Sequence, residues 1–241
     1  MSIVNCQLSI SILKKFNNMK ELFKFLKELR ENNNREWFSA NKERYSALHK
    51  EYICIVEKLI KGVAKFEPKI AGLEAKNCVF RIYRDIRFSN DKTPYKNHFG
   101  AYMTGFGGRT SPYGGYYLHI EPDNSLVAGG VWCPEPKMLK KLRKDIYDNM
   151  EEFTGILENK EFKEVYGELD KGDMLKRMPE GFPKDYDNDI LKLKSFIVSS
   201  SKPDEFFYSD GWIDEVIENF RVLSPFNRFM NYTMGDFFAK E

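Results

Sequence analysis

Leu22, Phe23, Leu26 and Leu29 fall at helical spacing between Lys20 and Glu31, and the polar run Asn32-Asn33-Asn34 ends that period. Asn34 is placed to cap a second helix, with Glu36 in the first turn, where a carboxylate complements exposed backbone N–H groups. Trp37, Phe38, Tyr45, Leu48, Tyr52, Ile55, Val56, Leu59 and Ile60 carry the apolar stripe on to about Phe66-Glu67-Pro68. Together these periods predict an antiparallel helical hairpin.

Residues 78–133 have a different texture, dense in Gly, Tyr and β-branched residues. Turn signals at Ser89-Asn90-Asp91, Gly107-Gly108 and Pro122-Asp123-Asn124 divide it into strands at about 78–86, 99–105, 115–121 and 125–132, the last two forming a hairpin. After Pro134-Glu135-Pro136 the helical period returns, with Leu139, Leu142, Ile146, Met150 and Phe153 in one stripe and a shorter helix through Phe162, Val165 and Tyr166. A Pro/Gly crossing at residues 179–183 leads to an extended segment near 195–200 that rejoins the sheet. Helices at about 203–208 and 210–232 close the chain, with a break expected at Pro225. The fold class is therefore α+β: a central, largely antiparallel sheet packed by N- and C-terminal helices, in a single domain over 19–241. Met19 directly precedes the first patterned helix, so residues 1–18 are read as a poorly ordered extension.

The chain has 241 residues, 42% of them hydrophobic, enough for a core without staples. Cys6, Cys54, Cys78 and Cys133 form no CxxC or Cys/His pair, which fits reduced thiols and a cytoplasmic setting. No apolar run approaches the ~18 residues of a membrane span, and the opening stretch lacks the basic start of a signal peptide. The formal net charge of +2 is unevenly distributed. Between Lys76 and Arg109 seven Lys/Arg face only Asp85 and Asp91, which points to a confined anionic partner rather than a long nucleic-acid surface.

The runs Phe80-Arg81-Ile82-Tyr83-Arg84-Asp85-Ile86-Arg87-Phe88-Ser89 and Asp91-Lys92-Thr93-Pro94-Tyr95-Lys96 closely resemble the signature of the DUF2461 family of bacterial and fungal proteins. Gly115-Tyr116-Tyr117-Leu118-His119-Ile120-Glu121-Pro122, Gly129-Gly130-Val131-Trp132 with Pro134, Asn34-Arg35-Glu36-Trp37-Phe38, and the stretch from Lys176-Arg177-Met178-Pro179 to Leu193-Lys194 are similar to it as well. The resemblance spans roughly residues 20–230. It implies one domain over that span and supplies no catalytic residues, so the chemistry rests on the residues themselves.

On a strand over 80–88, Arg84 would share a face with Phe80, Ile82, Ile86 and Phe88, and a guanidinium there needs a carboxylate or a bound anion. The following loop offers Arg87, Lys92 and Lys96 for a phosphate or carboxylate group. The competing reading pairs the arginines internally with Asp85, Asp91, Glu121 or acidic helix residues. No P-loop pattern is present, and Gly105-Phe106-Gly107-Gly108 is too short a match for a dinucleotide fingerprint, so no cofactor is assigned.

Tyr117, His119 and Glu121 share one face of the 115–121 strand. The carboxylate can orient the imidazole as a general base, making His119 and Glu121 the catalytic candidates. The pair can also hold a metal, with His98 approaching from the neighbouring strand, or simply hydrogen-bond within the sheet. HExxH, HxH and Cys pairs are absent, so no metal residues are assigned. Trp132 either walls a pocket or anchors the next helix, and Gly129-Gly130 is read as a packing feature.

The leading expectation is a small anionic ligand held by Arg84, Arg87, Lys92, Lys96, His98, Tyr117 and Trp132. A noncatalytic protein-interaction module, using the apolar faces of the N-terminal hairpin, ranks second, with no partner specified. Nucleic-acid binding ranks last, because the RNP1 pattern is missing and the charge is near neutral.

Overall fold

The structure, a computed structural model, describes residues 19–238, so the expected extension over 1–18 lies outside the described residues. The first helix, α1 (19–31), buries Leu22, Phe23, Leu26 and Leu29. Asn34 then caps α2 (Arg35–Ala40) by accepting a hydrogen bond from the Trp37 N–H at 2.9 Å. A single long helix was expected from here, but α3 (Lys42–Val63) is separate, and the break falls at Asn41. The Asn41 side-chain amide donates to the Trp37 carbonyl at 3.0 Å, four residues back, so the side chain competes with the backbone for the helical acceptor.

The same device divides the later stripe into α5 (Pro136–Asp148) and α6 (Met150–Glu158), where the Asn149 amide takes the Asp145 carbonyl at 2.9 Å. Then come α7 (Lys160–Tyr166) and the short α8 (Asp189–Lys192). The final helix, α9 (Trp212–Phe238), passes through Pro225 without the expected break. Pro225 and Arg221 are both exposed, so water can reach the carbonyl that proline leaves without a helical donor. The opposite side of the same turn is held by Phe220, Leu223 and Phe226, all fully buried.

The sheet has four strands in the order β1 (Phe99–Met103), β2 (Gly115–Ile120), β3 (Ser125–Val131) and β4 (Phe196–Lys202), every neighbour antiparallel. Its alternation sends Phe99, Ala101, Met103, Tyr116, Leu118, Val127 and Val198 into the core under α3 and α9. Tyr52 of α3 packs its ring, tilted, 5.2 Å from that of Phe99 and donates its hydroxyl to the Leu118 carbonyl at 3.3 Å. Gly129 is required by this packing: a Cβ there would lie 2.3 Å from Leu223 Cδ2 on α9. Further along α9, Asn231 grips Gly114 from both sides, accepting from its N–H at 2.8 Å and donating to its carbonyl at 2.9 Å. Each large side chain buried in this layer contributes about 1.5–3 kcal/mol.

The expected strand over 78–86 is corrected. Residues around α4 (Ala75–Cys78) and beyond make only isolated bridges, Val79 to Ala101 and Tyr83 to Tyr95. Phe80 N–H bonds the Gly100 carbonyl at 2.9 Å, and the chain then leaves the sheet, folding on itself so that Lys96 N–H meets the Ile82 carbonyl at 2.8 Å and Arg84 N–H the Pro94 carbonyl at 3.0 Å. Among the described residues no helix is long and apolar enough to cross a membrane.

Candidate functional site

The sheet face turned away from α3 and α9 carries Gly100 and Tyr102 on β1, Tyr117 and His119 on β2, Leu126 and Ala128 on β3, and Ile197 and Ser199 on β4, aligned by the register. Tyr102, Tyr117, Leu126, Ala128, Ile197 and Ser199 line a cavity of about 540 Å³ on this face, and His98 stands beside them. Phe80, Lys96, Arg109, Trp132 and Asp170 also line it. Trp132 is 76% exposed, so its indole is not the anchor of the following helix but an open wall of the hollow.

Beside the cavity runs a chain of side-chain contacts along β2. The Tyr117 hydroxyl lies 2.8 Å from His119 Nδ1, and His119 Nε2 lies 2.9 Å from Glu121 Oε2. Asn124 Nδ2 donates to the same Glu121 oxygen at 2.8 Å. Burial pushes the Glu121 carboxyl up, but the hydrogen bonds from His119 and Asn124 outweigh it and hold the group below its ordinary value. Glu121 is therefore an ionised acceptor at neutral pH, and Nε2 of His119 carries the proton that binds it. In the neutral imidazole Nδ1 is then a lone pair, and Tyr117 is the donor to it. Burial, followed by the charge of Glu121, pushes the Tyr117 phenol up to about 12, so it remains a proton carrier.

Gly100 is the backbone opening that admits this phenol. A Cβ at Gly100, directly across from His119, would sit 3.0 Å from the Tyr117 hydroxyl and 3.4 Å from the Phe80 ring. The His98 ring lies tilted against His119 with ring centroids 4.2 Å apart, and among the described residues its nitrogens have no hydrogen-bond partner. Burial, reinforced by His119, lowers the His98 imidazole to about 4. The expected approach of His98 from the neighbouring strand follows from the register: Gly100 pairs with His119 and Phe99 with Ile120, so the antiparallel run leads next to His98 and Glu121.

The cations divide into two groups. Arg84, Arg87 and Lys92, expected to meet a ligand together with Lys96, do not line this cavity. Arg84 pairs with Asp91 and also donates to Thr93. Arg87 forks onto Asp85 at 2.9 and 2.6 Å, while Lys92 donates to the Ile86 carbonyl at 3.0 Å. The Arg87 hydrogen bond draws the Asp85 carboxyl down to about 2, and the Thr93 N–H, followed by Arg84, does the same for Asp91. The loop is thus closed by its own acids, and Phe88 at its tip is 96% exposed.

Lys96 and Arg109 behave differently. Lys96 lies 5.1 Å over the Phe80 ring, and burial, followed by the charge of Arg81, lowers its ammonium. Arg109 donates only to the Lys76 and Asn77 carbonyls, at 3.1 and 3.0 Å. Neither has a carboxylate partner among the described residues. Tyr102, Arg109 and Asp170 are among the lining residues that were not site candidates from the sequence. Tyr102 was legible from strand alternation after His98, whereas Arg109 and Asp170 arrive on loops whose paths no local pattern encodes. In the N-terminal hairpin Leu22, Phe23, Leu26, Leu29, Leu48, Tyr52 and Val56 are all buried.

Compared with known proteins, the chain matches one family model, described as "Conserved hypothetical protein (DUF2461)", over residues 21–229. None of the curated proteins and none of the solved structures compared with the chain matches it.

Proposed function

The chain belongs to the DUF2461 family, and from that footing we propose that it binds a small ligand bearing a phosphate or carboxylate group in the cavity on the open sheet face. One observation carries this reading: Lys96 and Arg109 both line the cavity without a carboxylate partner among the described residues, opposed only by Asp170. An uncompensated cation beside a partly desolvated hollow is favourable when an anion completes it. Phe80, Trp132, Leu126 and Ile197 suit an apolar or planar body attached to the charged group. The site is a hollow rather than a basic track, which favours a small molecule over a nucleic-acid strand. His98 and Tyr117 stand at the cavity wall to meet polar groups of the same ligand.

The test is thermal denaturation of the full chain in EDTA with inorganic phosphate, pyrophosphate and citrate. A ligand at roughly a hundred times its Kd adds about 2.7 kcal/mol of stability. At least one anion raises Tm, and Lys96→Ala and Arg109→Ala remove that rise, whereas Arg84→Ala and Arg87→Ala leave it intact. A Tm that ignores all three anions, or a rise that survives both Lys96→Ala and Arg109→Ala, refutes the reading.

A further inference from the structure

We propose that His98, His119 and Glu121 form a binding site for one first-row divalent metal ion, of the zinc class, with a coordination position open to the cavity. One ligand atom from each of these residues lies within 4.8 Å of the other two, all three partly buried. Around a shared zinc at about 2.0–2.1 Å, tetrahedral donors sit roughly 3.3 Å apart, so side-chain adjustments of about an ångström close the set.

Three features separate this cluster from an ordinary histidine–carboxylate contact. First, the residues come from two neighbouring strands rather than one flexible loop: His98 precedes β1, His119 and Glu121 lie at and just beyond β2, and the Gly100–His119 pairing holds them in register. Second, the His98 nitrogens are without a hydrogen-bond partner among the described residues, although the ring is half-buried and its centroid lies 4.2 Å from that of His119. An imidazole in that state has a lone pair that no protein group engages, open to a metal ion. Third, His119 already possesses the outer-sphere contact that a metal-bound histidine needs, since Tyr117 lies at Nδ1 while Nε2 faces the carboxylate. Two imidazoles and one carboxylate suit zinc and its neighbours better than calcium or magnesium, which prefer all-oxygen sets.

Metal entry changes which nitrogen of His119 holds a proton. In the metal-free state Nε2 of His119 faces the Glu121 carboxylate at 2.9 Å and donates its proton to it. A metal ion takes the Nε2 lone pair, so the proton must reside on Nδ1, where it is donated to the Tyr117 oxygen. The Tyr117 hydroxyl hydrogen is then freed from His119. Because Tyr117 and His98 both line the cavity, the open coordination position and this freed hydroxyl are available to one bound molecule. Three protein ligands with a remaining position for water or substrate is the arrangement of catalytic rather than structural zinc.

The inference does not rest on anion binding, because its test uses metal alone in buffer without phosphate or carboxylate. The metal-stripped full chain is titrated with Zn²⁺ by calorimetry and with Co²⁺ by visible absorption, and the His119 ring is followed by long-range ¹H–¹⁵N NMR. One equivalent of metal binds, and zinc loading transfers the His119 proton from Nε2 to Nδ1. Tyr117→Phe weakens binding by roughly tenfold to a hundredfold, and His98→Ala weakens it further. His98→Gln replaces the alanine variant if that variant unfolds by circular dichroism. Binding well below one equivalent at micromolar metal overturns the site. So does undiminished affinity in a folded His98 variant, or a zinc-loaded protein in which Nε2 of His119 keeps its proton.

Discussion

The Tyr117 hydroxyl lies 2.8 Å from Nδ1 of His119, two residues along the same strand. Consecutive same-face side chains on a strand normally stand side by side. Here the phenol lies close enough to bond the imidazole, and the absence of a side chain at Gly100 provides the space. The ring of His119 is thereby held at both nitrogens, with its orientation and tautomer set by Tyr117 on one side and Glu121 on the other.

In metal-free protein at neutral pH, ¹H–¹⁵N spectra should place the His119 proton on Nε2. Tyr117→Phe removes one partly buried hydrogen bond and should lower stability by about 0.5–1.5 kcal/mol in urea denaturation. A spectrum showing the Nδ1–H tautomer in the metal-free wild type would contradict the assignment of Tyr117 as donor.

Gly100→Ala should cost about 1–3 kcal/mol, because its methyl would press on the hydroxyl and ring edge of Tyr117. Part of that cost should disappear when Tyr117→Phe is added, since the phenol oxygen is the nearest atom. Strict additivity of the two substitutions in a double-mutant cycle would show that the steric coupling is absent.

Asn231→Ala should destabilise by about 1–3 kcal/mol, because it leaves both backbone groups of Gly114 without their partner. Asn231→Asp retains an acceptor for the Gly114 N–H but confronts its carbonyl with a second acceptor, so it should recover little. Equilibrium urea unfolding measures both, and a wild-type midpoint for Asn231→Ala would remove the clamp from this account.

Asp91 provides the pH prediction. Its carboxyl is drawn down to about 2 by the Thr93 N–H first and Arg84 second. A folded pKa below the unfolded value means that the loop contact contributes fully above about 4 and is lost as pH falls through about 2. Carboxyl ¹³C titration should show that low midpoint, and Arg84→Ala should raise it only partly, because the Thr93 N–H remains. A complete return to the ordinary aspartate value in Arg84→Ala would mean that the ion pair alone sets the shift.

Much of this architecture was legible from local periodicity. The stripe Leu22, Phe23, Leu26 and Leu29 is a buried helix face, and Asn34 is a side-chain N-cap. The helix breaks at Asn41 and Asn149 were missed, because stripe reading follows apolar residues and passes over a polar residue that bonds its own preceding turn. The segment over 78–86 was misread for a related reason. Its β-branched and aromatic residues satisfy strand composition, while its actual path is set by the return contacts of Lys96 to Ile82 and Arg84 to Pro94.

The sequence by itself determined that Tyr117, His119 and Glu121 share a face, because strand alternation is a property of the backbone over a few residues. It also determined the sheet's main strands and the helices around it, for the same local reason. Only the tertiary structure decided which charges meet the cavity. Arg84 and Arg87 find Asp91 and Asp85 within their own loop, whereas Lys96, Arg109 and Asp170 reach the hollow through loop paths and strand register. Ion pairing depends on where distant backbone segments come to rest, and spacing along the chain carries no record of that.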